Sequence, residues 1–174
     1  MGPPGHLGVG FAVKRLAPKA PLWVLLVASE ALDLLCFAFV GLGIEQTGES
    51  TVNLASGIQY VTMGSVPWSH GLFMSLVWSL AFGVLAGLLW WDRRTGLAVG
   101  LAAFSHWVLD FIVHLPDLPV MFAGSPLLGL GLWGSGPGLI LSGVLEVVLL
   151  VGGVVLYWQM RRQSAVLQKA SEPG

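Results

Sequence analysis

The sequence predicts an all-α polytopic membrane protein: four transmembrane helices plus an N-terminal re-entrant or interfacial helix. Three observations predict it. Four apolar runs are each long enough to cross a bilayer. Charged residues make up only 10% of the 174 residues and mean hydropathy is +0.81, which leaves too little polar surface for a domain in water. Every lysine and arginine falls into clusters that a four-span chain puts on one side. The chain reads as a single membrane domain, 1–174, with a short helix within 1–19 and a flexible cytoplasmic tail at 163–174.

Residues Met1 to Pro18 open with Pro3-Pro4-Gly5, a turn before a helix, and His6 to Leu16 then supply three helical turns that Pro18 stops. That is too short to span. It is either a surface helix or a re-entrant half-helix with His6 at its buried tip, which is tolerated at depth when protein surrounds it. The apolar runs follow: Pro21 to Leu42, Gly71 to Trp91, Gly96 to Leu115 and Gly138 to Met160. Each is near the roughly 20 residues that cross about 30 Å of hydrocarbon. Gly43 to His70 forms a long outer loop, and the glycine-rich Gly124 to Gly138 a second one that covers the outer side. Leu115-Pro116-Asp117-Leu118-Pro119 ends the third span, because proline cannot continue a regular helix. Gly83, Ala86 and Gly87, then Gly96, Gly100 and Ala103, and finally Gly152 and Gly153 are small enough for close helix contact.

Orientation comes from charge. Lys14, Arg15 and Lys19 precede span one, Arg93 and Arg94 lie between spans two and three, and Arg161, Arg162 and Lys169 follow span four. The positive-inside rule places both termini in the cytoplasm. Glu45, Glu49 and Asp117 fall toward the other side. A net charge of −1 gives no nucleic-acid footprint. Cys36, the single cysteine, excludes an intrachain disulfide and reads as a buried, inert thiol. A cleaved secretory signal is a poor reading of the start. No Gly-x-Ser-x-Gly elbow, phosphate loop or dinucleotide fingerprint occurs.

The chemistry lies in polar residues inside the apolar runs. His106, Asp110 and His114 recur every fourth residue, so a continuous helix gives them one face, with Asp117 nearby. Glu30 and Asp33 share a face of span one, His70 opens span two, and Glu146 sits in span four. Isolated ionisable groups at such depth are costly. They must meet one another, a metal or a wet cavity. Histidine nitrogens and carboxylate oxygens suit divalent metals, zinc first, with manganese, magnesium or iron as alternatives. Asp33, His70, His106, Asp110 and His114 are the expected ligands, with His6 and Asp117 as secondary candidates. Glu30 and Glu146 are the expected proton acceptors. This spacing differs from the His-Glu-x-x-His motif.

Four blocks carry a resemblance: Gly5-His6-Leu7-Gly8-Val9-Gly10 with Lys14-Arg15-Leu16-Ala17-Pro18; Leu22 to Leu26 leading into Glu30-Ala31-Leu32-Asp33; Trp68-Ser69-His70-Gly71-Leu72; and Ser105 through Pro119. Gly129 to Trp133 and Glu146 match later elements. On these residues the chain resembles the bacterial YdjM-related family of membrane-bound metal-dependent hydrolases, also described as a domain of unknown function. The resemblance implies a hydrolase of the bacterial inner membrane. It adds His6 to the site and supports grouping Asp33, His70, His106 and Asp110. The chain departs from the family at Ala31-Leu32-Asp33, where Leu-Pro-Asp is familiar, and at Gly71, where serine commonly follows the histidine.

The leading expectation is therefore metal-assisted hydrolysis at an outward-opening intramembrane site, acting on an amphiphilic or lipid-like ester. Two alternatives use the same residues. A transporter or proton relay needs buried acids without hydrolysis. An accessory subunit would use the polar network to lock itself to a membrane-protein partner.

Overall fold

The computed structural model describes residues 1–48, 50–53, 58–61, 64, 66–122 and 124–170. Glu49, residues 54–57 of the expected outer loop and residues 171–174 of the expected tail lie outside them. The chain is mostly helical: α1 (Pro3–Val13), α2 (Leu22–Ser29), α3 (Ala31–Gly41), α4 (Leu72–Leu89), α5 (Arg93–Val113) and α6 (Gly136–Ala170), with a 3-10 turn at Leu132–Gly134. Two small antiparallel hairpins interrupt the loops. One pairs β1 (Ser50–Asn53) with β2 (Ile58–Val61), and the other pairs β3 (Leu118–Pro119) with β4 (Leu127–Leu128).

Among the described residues, three helices, α4, α5 and α6, are long and apolar enough to cross a membrane. Where the sequence predicts one continuous first span, the structure has a break. Helices α2 and α3 meet at Glu30 and are bent by 58°. Glu30 leaves the helical region (φ −103°, ψ 6°). Helix α6 carries on to Ala170, so residues 163–170 of the expected tail are helical.

Helix α5 is the centre of the bundle. Half of its apolar window is buried, against 17% for α4 and 11% for α6. Thr95, Val99, Ala102, His106, Asp110 and Val113 are all buried, and their spacing of three or four puts them on one face. Asp92 starts the helix, its carboxylate accepting from the Thr95 backbone N–H at 3.1 Å and the Thr95 hydroxyl at 2.7 Å. That satisfies a donor left open in every first turn. By contrast, α4 and α6 turn large apolar side chains outward, among them Leu80, Leu88, Ile140 and Val147. Such surface is compatible with a membrane protein and is out of place in water.

Backbone contact decides how close the helices come. A Cβ at Gly83 would stand 2.9 Å from the Gly96 carbonyl oxygen, and one at Gly96 would stand 2.6 Å from the Gly83 carbonyl oxygen. Helices α4 and α5 therefore pack backbone to backbone. Helices α1 and α6 do the same, since a Cβ on Gly8 would strike the Leu149 backbone and one on Gly153 would strike the Gly8 carbonyl. Helix α1 also touches α2 and α5 and buries His6 completely. Gly5, His6, Gly8 and Gly10 form its buried side, while Pro3 and Pro4 are exposed.

Candidate metal centre

The polar residues meet at the end of the α4–α5 hairpin opposite the Arg93–Arg94 turn. At 1.5 Å per residue, His106 stands about 20 Å along α5 from Arg93. Asp33 comes from the first turn of α3, His70 from the turn before α4, His106 and Asp110 from successive turns of α5, and His6 from α1.

The break at Glu30 places two of these groups. In a continuous helix the Ser29 carbonyl would accept from the N–H four residues on. Here it accepts from His106 Nδ1 at 2.8 Å. A carbonyl only accepts, so Nδ1 is the donor and carries the proton. In the neutral ring the lone pair is then on Nε2. The same break makes Asp33 an acid in the first turn of a helix, where the partial positive charge of the helix end favours it.

His106 Nε2 lies 3.4 Å from Asp33 Oδ1 and 3.3 Å from Asp110 Oδ2. His70 Nε2 lies 3.3 Å from Asp33 Oδ1 and 3.6 Å from Asp110 Oδ2. Both nitrogens are buried and neither makes a hydrogen bond. Two nitrogens thus face two carboxylates around a closed circuit, and either a divalent cation between them or a proton on a ring satisfies their lone pairs. Ligands held about 2.0–2.2 Å from one ion in a tetrahedral shell stand about 3.3–3.6 Å apart. The four nitrogen–oxygen contacts have that spacing. The donor set fits a divalent metal.

Two overlapping triads bring ligand atoms within 4.8 Å of one another: Asp33–His70–His106 and His6–His106–Asp110. They are not equivalent. The His6 ring stacks on His106, with centroids 3.8 Å apart and planes 6° from parallel. Imidazole lone pairs lie in the ring plane, so two stacked rings cannot both aim at one ion. His6 Nε2 instead meets the Met1 carbonyl at 2.9 Å and lies 3.5 Å from Asp110 Oδ1. The Met1 amine pairs with the same Asp110 oxygen. His6 is thus the wall behind His106; Asp33, His70 and His106 form one triad, and Asp110 Oδ2 lies 3.3 Å and 3.6 Å from its two histidine nitrogens.

The remaining expected residues divide. Glu30, at the break, lies within electrostatic reach of His106, Asp33 and Asp110, and its Oε1 is buried without a hydrogen-bond partner. Glu146 accepts from the Gly2 backbone N–H at 2.7 Å, on the α1 side of the cluster. His114 is not brought in. Helix α5 ends at Val113, His114 turns extended (φ −66°, ψ 148°), and the four-residue stripe stops at Asp110. His114 Nδ1 lies 3.4 Å from Asp117 Oδ1 and its ring is 4.7 Å from Trp133. Asp117 stays with it, outside both triads.

Of the four central residues, Asp33 is the open one. Its side chain is 32% exposed, while the histidines are at 0% and Asp110 at 4%. Trp107 closes another side: its indole N–H donates to the His70 carbonyl at 2.9 Å, and it packs in a cluster with Leu32 and Leu118. Two apolar grooves run along the bundle, one between α4 and α5 and one between the α2–α3 pair and α4. None of the cluster side chains lines either.

Sequence reasoning missed Glu45 and Ser69, both buried beside His70. Position next to a candidate ligand was the one available signal for Ser69. For Glu45 there was none, since it is 24 residues away in the chain. Comparisons with protein-family models, curated proteins and solved structures return no match for the chain.

Proposed function

We propose that the protein is a four-span enzyme of the bacterial inner membrane that hydrolyses an amphiphilic, lipid-like ester at a divalent-metal site, zinc first among the ions. The bent α2–α3 pair serves as the first span, with α4, α5 and α6 as the others. Lys14, Arg15, Arg93, Arg94, Arg161 and Arg162 then face the cytoplasm. The cluster stands in the outer half, and α1 is a re-entrant helix carrying His6 up to it from the basic side.

The observation that carries this reading is the circuit of buried, hydrogen-bond-free His70 and His106 Nε2 atoms against Asp33 and Asp110. These four residues would hold the ion. When bound, a divalent metal supplies Lewis acidity toward an ester carbonyl and activates water as nucleophile. Glu30 is the proton acceptor: it stands beside the cluster with a carboxylate oxygen that no other group uses, as a general base requires. Asp33 marks the side from which substrate enters. Glu146, expected as a second proton acceptor, holds the Gly2 backbone N–H before α1. His6 shields the back of His106.

The test is elemental analysis of protein purified in mild detergent without chelators, alongside His106→Ala and Asp110→Asn. Close to one divalent ion per chain is expected in the wild type, with loss in both variants. Folded wild-type protein that takes up no divalent ion would overturn the reading. Hydrolysis of a fluorogenic ester, abolished by Glu30→Gln without loss of metal, is the expected activity result.

A further inference from the structure

Helix α3 ends at a left-handed glycine. Gly43 has φ +72°, the conformation that commonly terminates helices. The chain then folds back so that the Ile44 and Glu45 N–H groups both donate to the Phe39 carbonyl, at 2.8 and 3.2 Å. This turn carries Glu45 into the interior, where it is 2% exposed. Its Oε1 accepts from the Trp68 N–H at 2.7 Å and the Ser69 N–H at 2.9 Å. Its Oε2 accepts from the Ser69 hydroxyl at 2.7 Å. The same hydroxyl oxygen lies 2.9 Å from His70 Nδ1.

A hydroxyl has one proton, and a carboxylate has only acceptor sites. Ser69 therefore spends its proton on Glu45, and its oxygen can only accept from His70. That requires a proton on Nδ1, which in the neutral ring leaves Nε2 bare and facing Asp33 and Asp110. The Cys36 thiol lies beside Ser69 as well, but a thiol is a weak donor and acceptor and does not displace the carboxylate.

We propose that Glu45 is a positioning residue: acting through Ser69, it fixes His70 in the tautomer whose bare Nε2 points into the cluster. The inference deepens the metal-site reading and rests on it for its purpose. The relay itself can be tested without metal. Ligating histidines depend on such outer partners, and losing one weakens metal binding by about 10–100-fold.

Glu45→Gln reverses the relay. The two backbone donors hold the amide oxygen where Oε1 was, which turns the amide NH₂ toward Ser69. Ser69 must then accept from Gln and donate to His70 Nδ1, and the His70 proton moves to Nε2. The experiment labels the four histidines with ¹⁵N, assigns His70 by its loss in His70→Gln, and reads its tautomer by NMR in metal-stripped full-length protein. Zn²⁺ affinity is measured in parallel by competition with a chromophoric chelator. Ser69→Ala serves as second variant should Glu45→Gln fail to fold.

The expected result is a bare Nε2 in the wild type, a changed His70 signal in each folded variant, and Zn²⁺ affinity about 10–100-fold lower. A role confined to holding the loop would leave the tautomer unchanged. A wild-type His70 protonated on Nε2 overturns the proposal, as does wild-type tautomer and affinity in either folded variant. A wild type with bare Nε2 that binds no Zn²⁺ supports the relay and removes the metal-site reading instead, so the two failures are distinct.

Discussion

His70 and His114 occupy corresponding places and have opposite fates. Helices α4 and α5 form an antiparallel hairpin; His70 lies just before the first and His114 just after the second, at the same end of the pair. Each has an oxygen partner close in sequence, Ser69 for one and Asp117 for the other. His70 faces Asp33 and Asp110, whereas His114 turns away to Trp133. The backbone makes the difference. His114 has left the helix, so periodicity no longer aims it. His70 never belonged to a helix, and its direction comes from bonds on both sides: Trp107 to its carbonyl and Ser69 to its ring. Helical spacing places a side chain only while the helix lasts.

The largest effect expected separates these two residues. His70→Ala should weaken Zn²⁺ binding by at least about tenfold, the loss of a direct ligand exceeding that of an outer partner. His114→Ala should leave affinity within about twofold, because it removes contacts with Asp117 and Trp133, away from both triads. Equilibrium dialysis against buffered Zn²⁺ reads both. Equal losses would mean that His114 moves into the cluster when the ion binds, and the distinction drawn from the backbone would fail.

This also marks how far the sequence is readable. Long apolar runs announce α4, α5 and α6, because a bilayer tolerates few polar groups. Asp33, His70, His106 and Asp110 are conspicuous for the same reason. The break at Glu30 is not legible, since no proline or glycine stands there and its compensating bond comes from His106, 77 residues away. The β1–β2 hairpin falls in a loop whose polar residues carry no clear alternation. Glu45 is hidden too: a loop acid reads as solvent-exposed until Gly43 and the Phe39 carbonyl turn it inward.

A medium effect is expected on the apolar stretch of the same hairpin, where packing replaces polar contact. Gly83→Ala forces a Cβ to 2.9 Å from the Gly96 carbonyl oxygen, and backbone must give way. Overpacking of this kind costs about 1–3 kcal/mol. Gly87→Ala meets the Gly96 Cα at 3.6 Å and the Asp92 carbonyl oxygen at 3.9 Å, both ordinary contacts, and alanine favours a helix over glycine by about 1 kcal/mol. Unfolding in mixed detergent, followed by circular dichroism, should show the first variant destabilised and the second unchanged or more stable. Equal destabilisation would mean that the helices sit closer at Gly87 than the structure has them.

The smallest effect belongs to the far end of α5, where Asp92 starts the helix. The Thr95 hydroxyl, bonded to its carboxylate, holds Asp92 below the usual carboxylate range, with help from the Thr95 backbone N–H. A carboxyl whose folded pKa is depressed stabilises the fold above its unfolded value of about 3.9, and that stabilisation fades as pH falls through the lower folded value. Asp92→Ala should therefore lower the thermal midpoint slightly at pH 7, and the gap from wild type should narrow below about pH 4. Thr95→Val, which keeps the backbone N–H but removes the hydroxyl, should give a smaller gap with the same direction of pH dependence. A gap of constant size down to pH 3 would mean that the side chain acts through its shape and not its charge. Even then the contrast along α5 would hold: at Asp92 the acid finds its donors within one turn of its own helix, while Asp110 faces His106 one turn away and also Met1, His6 and His70 from other elements.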